Sequence, residues 1–127
     1  MASAAASAGL RDEFSLDGAW DFRLEGQSDW RTAIVPNPWQ AEFADLRHAT
    51  GRATYRRTIT IPAQWAKRQV VVHFGAVNYL AEVVLDGRAL GTHEGGYLPF
   101  EIELPAGTIG DHMLEVHATL PSGDQVA

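Results

Sequence analysis

The 127-residue chain contains no cysteine. This absence excludes disulfides, thiolate metal sites and a thiol nucleophile, and it is more typical of proteins from a reducing compartment. A basic cluster is also missing, since 16 acidic residues outnumber 10 basic ones and the formal net charge is −6. We therefore expect no binding to nucleic acid or to an anionic membrane surface. No apolar run approaches the roughly 20 residues that a membrane-spanning helix needs.

Motifs for cofactors, metals and nucleophilic catalysis are lacking as well. The sequence has no Gly-x-Ser-x-Gly nucleophile elbow, no phosphate-binding loop and no dinucleotide fingerprint. Its five histidines do not have the short spacing of metal ligands. His112 and His117 lie five positions apart in a predicted strand, where their side chains point to opposite faces. We therefore predict no cofactor, no metal ion and no catalytic residue in this chain.

What the chain does have is enough apolar material for one folded domain, because 46% of its residues are hydrophobic. Its first nine residues are small-residue low complexity, without the basic and leucine-rich parts of a secretory signal. We expect a disordered tail over residues 1–13, one β-sandwich domain over residues 14–120 and a flexible end over residues 121–127. The cytoplasm is the default expectation for its location.

Alternation of apolar and polar residues predicts short β-strands along most of this domain. Clean alternation with one polar face is typical of antiparallel sheets that are solvated on one side. Asp86-Gly87 supplies the residue pair of a tight hairpin, and helices are limited to single turns at 41–46 and 64–67. The sequence therefore predicts an all-β, jelly-roll-like antiparallel sandwich of about seven or eight strands. The predicted inward-facing residues are Trp20, Phe22, Leu24, Tyr55, Ile59, Ile61, Val70, Val72, Phe74, Ala81, Val83, Leu85, Phe100, Ile102, Leu104, Leu114, Val116 and Ala118.

Six pieces of the sequence follow one another in a distinctive order. They are Leu16-Asp-Gly-Ala-Trp20; Val35-Pro-Asn-Pro-Trp-Gln40; Asp45 with Gly51 and Tyr55-Arg-Arg57; Phe74-Gly-Ala-Val77; Val83 to Gly87; and His93-Glu-Gly-Gly-Tyr-Leu-Pro-Phe100. Together they resemble the N-terminal sugar-binding domain of family 2 glycoside hydrolases, the β-galactosidase and β-glucuronidase family. The resemblance runs from about Phe14 to Thr119, and it implies a jelly-roll sandwich of the galactose-binding-domain-like kind.

The resemblance implies a non-catalytic, sugar-binding accessory domain, whose partner is a carbohydrate (a β-glycoside) or a catalytic barrel domain. In the family the two catalytic glutamates lie in the barrel, and retaining hydrolysis needs two carboxylates about 5–5.5 Å apart. No residue of this chain maps onto either glutamate, so none is assigned. The family's domain continues past the position of Thr119 with a further strand and an acidic residue that contacts the sugar. We therefore expect a fragment of a larger glycosidase, and it is open whether the last one or two strands of the fold are present.

Two other interpretations of the function stay open at this point. The chain is a free-standing carbohydrate-binding module if aromatic residues such as Trp39 and Tyr97 bind a soluble sugar. It is a structural or interaction domain without sugar affinity if it self-associates or binds a protein partner and if alanine at these aromatic positions has no effect on that binding. The fold does not decide between them, since one fold supports many functions.

A sugar-facing rim is predicted at two loops. His93 and Tyr97 flank Gly95-Gly96, which is either a sugar-facing loop or a structural turn whose glycines adopt angles that other residues avoid. Trp39 is either an aromatic platform for a sugar or a plug in the core. The polar loop around Asp45 either faces a ligand or is only solvated. The candidate rim residues are Trp39, Asp45, Arg47, His48, His93 and Tyr97.

Two adjacent arginines and two tryptophans need separate consideration. Arg56 and Arg57 are neighbours in a predicted strand, so their side chains face opposite ways and cannot form one anion clamp. Arg57 shares the apolar face with Ile59, and we therefore predict a buried acidic partner for its guanidinium. Trp30 and Trp65 are ambiguous between core and surface.

Overall fold

The computed structural model describes residues 4–8, 12–35, 51–75, 80–94 and 99–120. Within these ranges the chain forms ten strands and one 3-10 turn at Ala63–Trp65. The strands are β1 (Ala4–Ala8), β2 (Asp12–Ser15), β3 (Gly18–Leu24), β4 (Arg31–Val35), β5 (Gly51–Ile61), β6 (Val70–Phe74), β7 (Leu80–Leu85), β8 (Arg88–Glu94), β9 (Phe100–Glu103) and β10 (Gly110–Leu120). None of the described helical segments is long and apolar enough to cross a membrane.

The strands form two antiparallel sheets that pack around one core. The six-stranded sheet has the order β4-β3-β5-β10-β7-β8, and the four-stranded sheet has the order β2-β1-β6-β9. Buried residues of both sheets belong to a single hydrophobic cluster. The predicted all-β antiparallel sandwich is therefore confirmed.

The two longest strands form the centre of the six-stranded sheet. Strands β5 and β10 pair along their full length, from Gly110 opposite Ile61 to Leu120 opposite Gly51. Alternate residues of β5 are buried, among them Tyr55 and Ile59, as period-two patterning requires. The residues between them form the outer face of the sheet, which is where polar side chains gather.

Large rings from both sheets fill the core. Trp20 and Phe22 of β3 are almost fully buried, as is Phe74 of β6. Burying one such side chain contributes roughly 1.5–3 kcal/mol to the free energy of folding. The Trp20 indole N–H donates a hydrogen bond of 2.6 Å to the carbonyl of Leu16, so the polar part of this ring is satisfied inside the core.

The hairpin between β7 and β8 has the predicted turn. Asp86 and Gly87 have φ angles of 51° and 82°, and a two-residue hairpin turn with positive φ at both positions matches the twist of its strands. A register shift between Val83 and Val84 then interrupts the pairing of β7 with β8. Both valines are buried at this irregularity, although strict alternation would leave one of them exposed.

The structure differs from the prediction at the start of the chain. A disordered tail was expected over residues 1–13, but Ala4–Ala8 forms β1, between β2 and β6. Ala6 of this strand is fully buried. Alanine and serine have low β-propensity, so local sequence gives no strand signal here, and the segment is ordered by the strands on either side of it.

A second difference concerns the partner of Arg57. Its Nη1 donates hydrogen bonds to the backbone carbonyls of Leu16 at 2.7 Å and Asp17 at 3.4 Å. The predicted buried acidic partner was wrong, because the guanidinium is only partly buried and finds carbonyl acceptors in the connection between β2 and β3. Partial exposure removes the need for a compensating buried charge.

Candidate functional site

Only one residue of the predicted sugar-facing rim lies in the described part of the chain. That residue is His93, in β8. The sugar-facing role of all six rim residues stays a prediction. The other five, Trp39, Asp45, Arg47, His48 and Tyr97, lie outside the described residues.

His93 lies where the edges of the two sheets approach one another. It is paired with the buried Ala81, which places its side chain on the core side of the sheet. Its ring stacks on Phe100 with 4.3 Å between centroids and an angle of 9°, and Phe100 in turn stacks on Phe74 at 4.9 Å. Its Nε2 is buried, with no hydrogen-bond partner among the described residues. The ring therefore extends an aromatic stack that links β8 to β9 and β6.

Gly91 lies two residues before His93 in β8 and also allows β8 to approach the second sheet closely. A Cβ at this position would lie 3.1 Å from Cδ1 of Ile102 in β9. The absence of a side chain at Gly91 thus leaves room for Ile102, and the aromatic stack at His93 lies beside this contact. The end of β8 that holds the predicted rim histidine is consequently fixed against the second sheet.

The structure also contains a polar cleft that sequence reasoning missed. It has a volume of about 460 Å³ and lies on the outer face of the six-stranded sheet, over β3, β5 and β10. Register explains its composition, because Arg23 lies opposite Thr54, and Thr54 lies opposite His117. Alternation alone places each of these residues on an outward face, but only the strand pairing brings them together. The lining residues are Arg23, Glu25, Gly26, Gln27, Arg52, Thr54 and His117.

Hydrogen bonds and ion pairs order the floor of this cleft. The Thr54 hydroxyl and His117 Nδ1 are 3.0 Å apart, and His117 Nε2 lies 3.3 Å from a carboxylate oxygen of Glu115. Arg52 Nη2 lies 3.0 Å from Glu82 Oε1. These contacts connect three strands, β5, β10 and β7, so the side chains under the cleft are held in defined positions, although surface ion pairs contribute only about 0–1 kcal/mol each.

Trp30, which the sequence left ambiguous between core and surface, lies next to the cleft. The guanidinium carbons of Arg56 and Arg23 lie 3.8 and 4.6 Å from the centroid of its ring, which is the geometry of a cation–π contact. Arg56 Nε is buried without a hydrogen-bond partner in the described ranges, and the face of the ring replaces that partner. Trp30 is thus part of the outer face, whereas Trp65 is buried and stacks on Phe14 at 5.4 Å.

A further polar group joins the β7–β8 hairpin to β10. His112 Nδ1 is 2.5 Å from Asp86 Oδ2, and His112 Nε2 is 2.7 Å from the carbonyl of Ile109. The hydrogen bond to Asp86 raises the pKa of His112, and the same bond, together with that from the Met113 N–H, lowers the pKa of Asp86. Because both ring nitrogens face acceptors, the charged imidazolium satisfies this site best. The contact stabilises the hairpin.

The described residues offer no metal centre. No group of three or more histidine, aspartate or glutamate side chains is placed to hold a metal ion within these ranges. Glu82 and Asp86 are both engaged with basic side chains. The cleft over β3, β5 and β10 is lined by guanidinium, carboxylate, hydroxyl, amide and imidazole groups.

Comparison with known proteins agrees with this architecture. The model of the family described as "Glycosyl hydrolases family 2, sugar binding domain" matches residues 18–117. The β-glucuronidase of Rattus norvegicus is 31% identical over 113 residues, which cover 70% of this chain and 17% of that protein. The β-glucuronidase of Streptococcus agalactiae is 27% identical over 135 residues, which cover 90% of this chain and 22% of that protein. The chain thus spans less than a quarter of the length of these relatives.

Solved structures show the same fold. The β-D-glucuronidase of Dictyoglomus thermophilum superposes with a TM-score of 0.73 and 26% identity, over 92% of this chain and 20% of that one. The β-glucuronidase of Faecalibacterium prausnitzii gives a TM-score of 0.72 and 28% identity, over 92% of this chain and 21% of that one. The chain belongs to the sugar-binding domain family of the family 2 glycosyl hydrolases.

Proposed function

We propose that this chain acts as a non-catalytic, sugar-binding module of a larger family 2 glycosidase that acts on a β-glycoside. The main support is the combination of two observations. The family match covers residues 18–117, nearly the whole sandwich, whereas the chain spans only 14% and 22% of two β-glucuronidase relatives. A catalytic barrel domain in the same protein would be the partner of this module.

The side-chain chemistry of the sandwich is consistent with an accessory role. Two of its acidic groups are engaged in cross-strand contacts: Asp21 with Arg56 at 3.6 Å, and Glu101 with His73 at 2.9 Å. Carboxylates held in this way brace the sheets. We also propose the cytoplasm as the compartment, because a chain without cysteine needs no oxidising environment.

The size of the native product tests this proposal. An antibody raised against the 127-residue chain would be used on a lysate of the source cells, and the detected protein would then be assayed with aryl β-glycosides. We expect a product several times larger than the chain that hydrolyses a β-glycoside, while the chain alone gives no turnover. A product of 127 residues, or turnover by the chain alone, would contradict the proposal.

A free-standing carbohydrate-binding module is the second candidate, and the polar cleft beside Trp30 favours it. A cleft with hydrogen-bonding side chains next to an aromatic ring suits a hydroxylated ligand whether or not a catalytic domain is attached. The same immunoblot separates the two candidates, because a product of 127 residues that binds sugar would support this one.

A further inference from the structure

The connection between β9 and β10 is fixed at both of its ends. At its start the N–H of the buried Leu104 donates a hydrogen bond of 2.9 Å to the carbonyl of Val70 in β6. At its end Gly110 begins β10, opposite Ile61 of β5. The residues between these points, 105–109, which we call the flap, thus connect the four-stranded sheet to the centre of the six-stranded sheet.

The flap has few contacts with the sandwich that it connects. Residues 105–107 and Ile109 are exposed, and the N–H and the hydroxyl of Thr108 both donate to the carbonyl of Pro105, inside the flap. Among the described residues, one hydrogen bond joins the flap to the rest of the chain, between the Ile109 carbonyl and His112 Nε2 at 2.7 Å. The position of the flap therefore depends on His112.

His112 holds the flap only while its ring carries two protons. Its Nδ1 is 2.5 Å from Asp86 Oδ2, and its Nε2 faces the Ile109 carbonyl, so both ring nitrogens face oxygen acceptors. A neutral imidazole has one N–H and one lone pair. Because the carboxylate is the stronger acceptor, the remaining proton stays on Nδ1. The lone pair of Nε2 then faces the oxygen of the Ile109 carbonyl, and the two repel each other.

The surroundings of the ring favour its charged form. Asp86 of the β7–β8 hairpin raises the pKa of His112 most, burial opposes it, and the Ile109 carbonyl and Asp111 raise it further. Strand β5 contributes the apolar Ile59, directly opposite in register. The charged groups that act on the ring are thus both acidic. The charged form is fully present below the ordinary histidine pKa of about 6.5, and it is lost as pH rises through the folded-state pKa.

We propose that the flap is a pH-sensitive strap, which charged His112 holds against the sandwich and neutral His112 releases. The β7–β8 hairpin stays in place after release, because Asp86 remains bonded to Nδ1 and to the backbone of Met113. The φ angles of Gly107 and Gly110 are both 79°, and glycine changes its backbone conformation at little steric cost. Movement is therefore confined to the flap. The inference concerns the connection between the sheets and does not depend on the proposed function.

NMR of the 127-residue chain tests the release. At about pH 5.5 we expect both ring nitrogens of His112 to carry protons, and at about pH 9 only Nδ1. Over the same range the backbone order parameters of residues 106–109 should fall from about 0.85 towards about 0.6, whereas those of Asp86 and Gly87 stay unchanged. A neutral ring at the lower pH, a proton kept on Nε2 in place of Nδ1, a flap whose order parameters do not change, or equal loosening of the hairpin would overturn the proposal.

Three variants test the residues. His112→Leu removes both ring nitrogens, and we expect residues 106–109 to be mobile at every pH. Asp86→Asn removes the carboxylate but keeps a side chain that tolerates positive φ, so the midpoint of the flap's release should shift to lower pH. His73→Gln, at the histidine paired with Glu101 on the other sheet, is the matched control and should leave the midpoint unchanged. A rigid flap in His112→Leu, an unchanged midpoint in Asp86→Asn, or an equal shift in the control would contradict the proposal.

Discussion

The two outer faces of the sandwich follow the same alternation rule but have opposite character. On the four-stranded sheet the exposed charged residues include Glu13, Glu101 and Glu103, with His73 beside Glu101. On the six-stranded sheet three arginines are interleaved with acidic residues and with Trp30. Alternation determines that each strand has a polar face. Cross-strand pairing determines whether the charges on that face have one sign or are balanced by charges of the other sign.

The two faces also differ in the groups that they offer to solvent. The face with Glu13, Glu101 and Glu103 is acidic and would repel an anion. The face with Arg23 and Trp30 offers fixed guanidinium groups and a ring, and arginine and tryptophan are the side chains that contribute most at binding sites.

Removing the shared core would abolish both faces together. Phe22→Ala in β3 and Phe74→Ala in β6 each delete a ring that is fully buried or nearly so. Each change should lower the free energy of unfolding by about 3–5 kcal/mol, measured by urea denaturation. Ile34→Ala, at a side chain that is 44% exposed, is the control and should cost less than about 1 kcal/mol. Two separate unfolding transitions in either phenylalanine variant would show that the sheets do not share one core.

Loss of Trp30 should destabilise the outer face of the six-stranded sheet and leave the acidic face of the other sheet unaffected. Trp30→Ala removes the ring beneath Arg23 and Arg56, and exposed cation–π contacts contribute about 0.5–1 kcal/mol each. We expect a loss of about 1–2 kcal/mol in the free energy of unfolding, and a smaller loss for Trp30→Phe, which keeps an aromatic face. A change of equal size in both variants would mean that packing, and not the ring face, is responsible.

The contact between His112 and Asp86 should make the stability of the protein depend on pH. His112 has a raised pKa through its hydrogen bond to Asp86, so its contribution to stability is fully present below its ordinary pKa of about 6.5. That contribution is lost as pH rises through the folded-state pKa. The lowered pKa of Asp86 matters at the acidic end of the pH range. Its contribution to stability is fully present above the ordinary aspartate pKa of about 4, and it is lost as pH falls through the folded-state pKa.

Stability attributable to this pair should therefore be greatest between about pH 4 and 6.5. Urea denaturation across that range and up to pH 9 checks this, with His112→Gln expected to flatten the decline above pH 6.5. His73→Gln, at an exposed histidine of the four-stranded sheet, is the matched control and should leave the decline in place. A decline that persists in His112→Gln would assign it to another group.

The smallest effect should come from the acidic face itself. Glu103→Gln removes one exposed charge from β9, and an isolated surface charge contributes within about 0.5 kcal/mol. We expect no loss of stability in urea. A loss comparable to that of Trp30→Ala would show that the acidic face is also a compensated network.

Much of the fold could be predicted from local pattern. Tyr55, Ile59 and Phe74 were identified as inward-facing from alternation, and Asp86-Gly87 was identified as a hairpin turn from its composition. These features depend on period two and on backbone angles, which neighbouring residues reveal. The resemblance of the motifs to a known family also predicted which type of β-sandwich the chain forms.

The rest depended on contacts between distant parts of the chain. Arg23, Thr54 and His117 come together only through the register of three strands, with 63 positions between Thr54 and His117. The carbonyl partner of Arg57 lies 41 positions away, at Leu16. Alternation within one strand does not show which distant strand it pairs with, so both the cleft and this partner were beyond local reasoning.

The position of β1 has a practical consequence for anyone who produces this protein. The first residues look dispensable, and trimming a low-complexity start is common practice before crystallisation. Yet Ala4–Ala8 lies between β2 and β6, so a version beginning at residue 9 would leave β2 without a neighbour and reduce its sheet to the β6–β9 pair. Such a shortened protein would present two open strand edges, and unprotected edges promote aggregation.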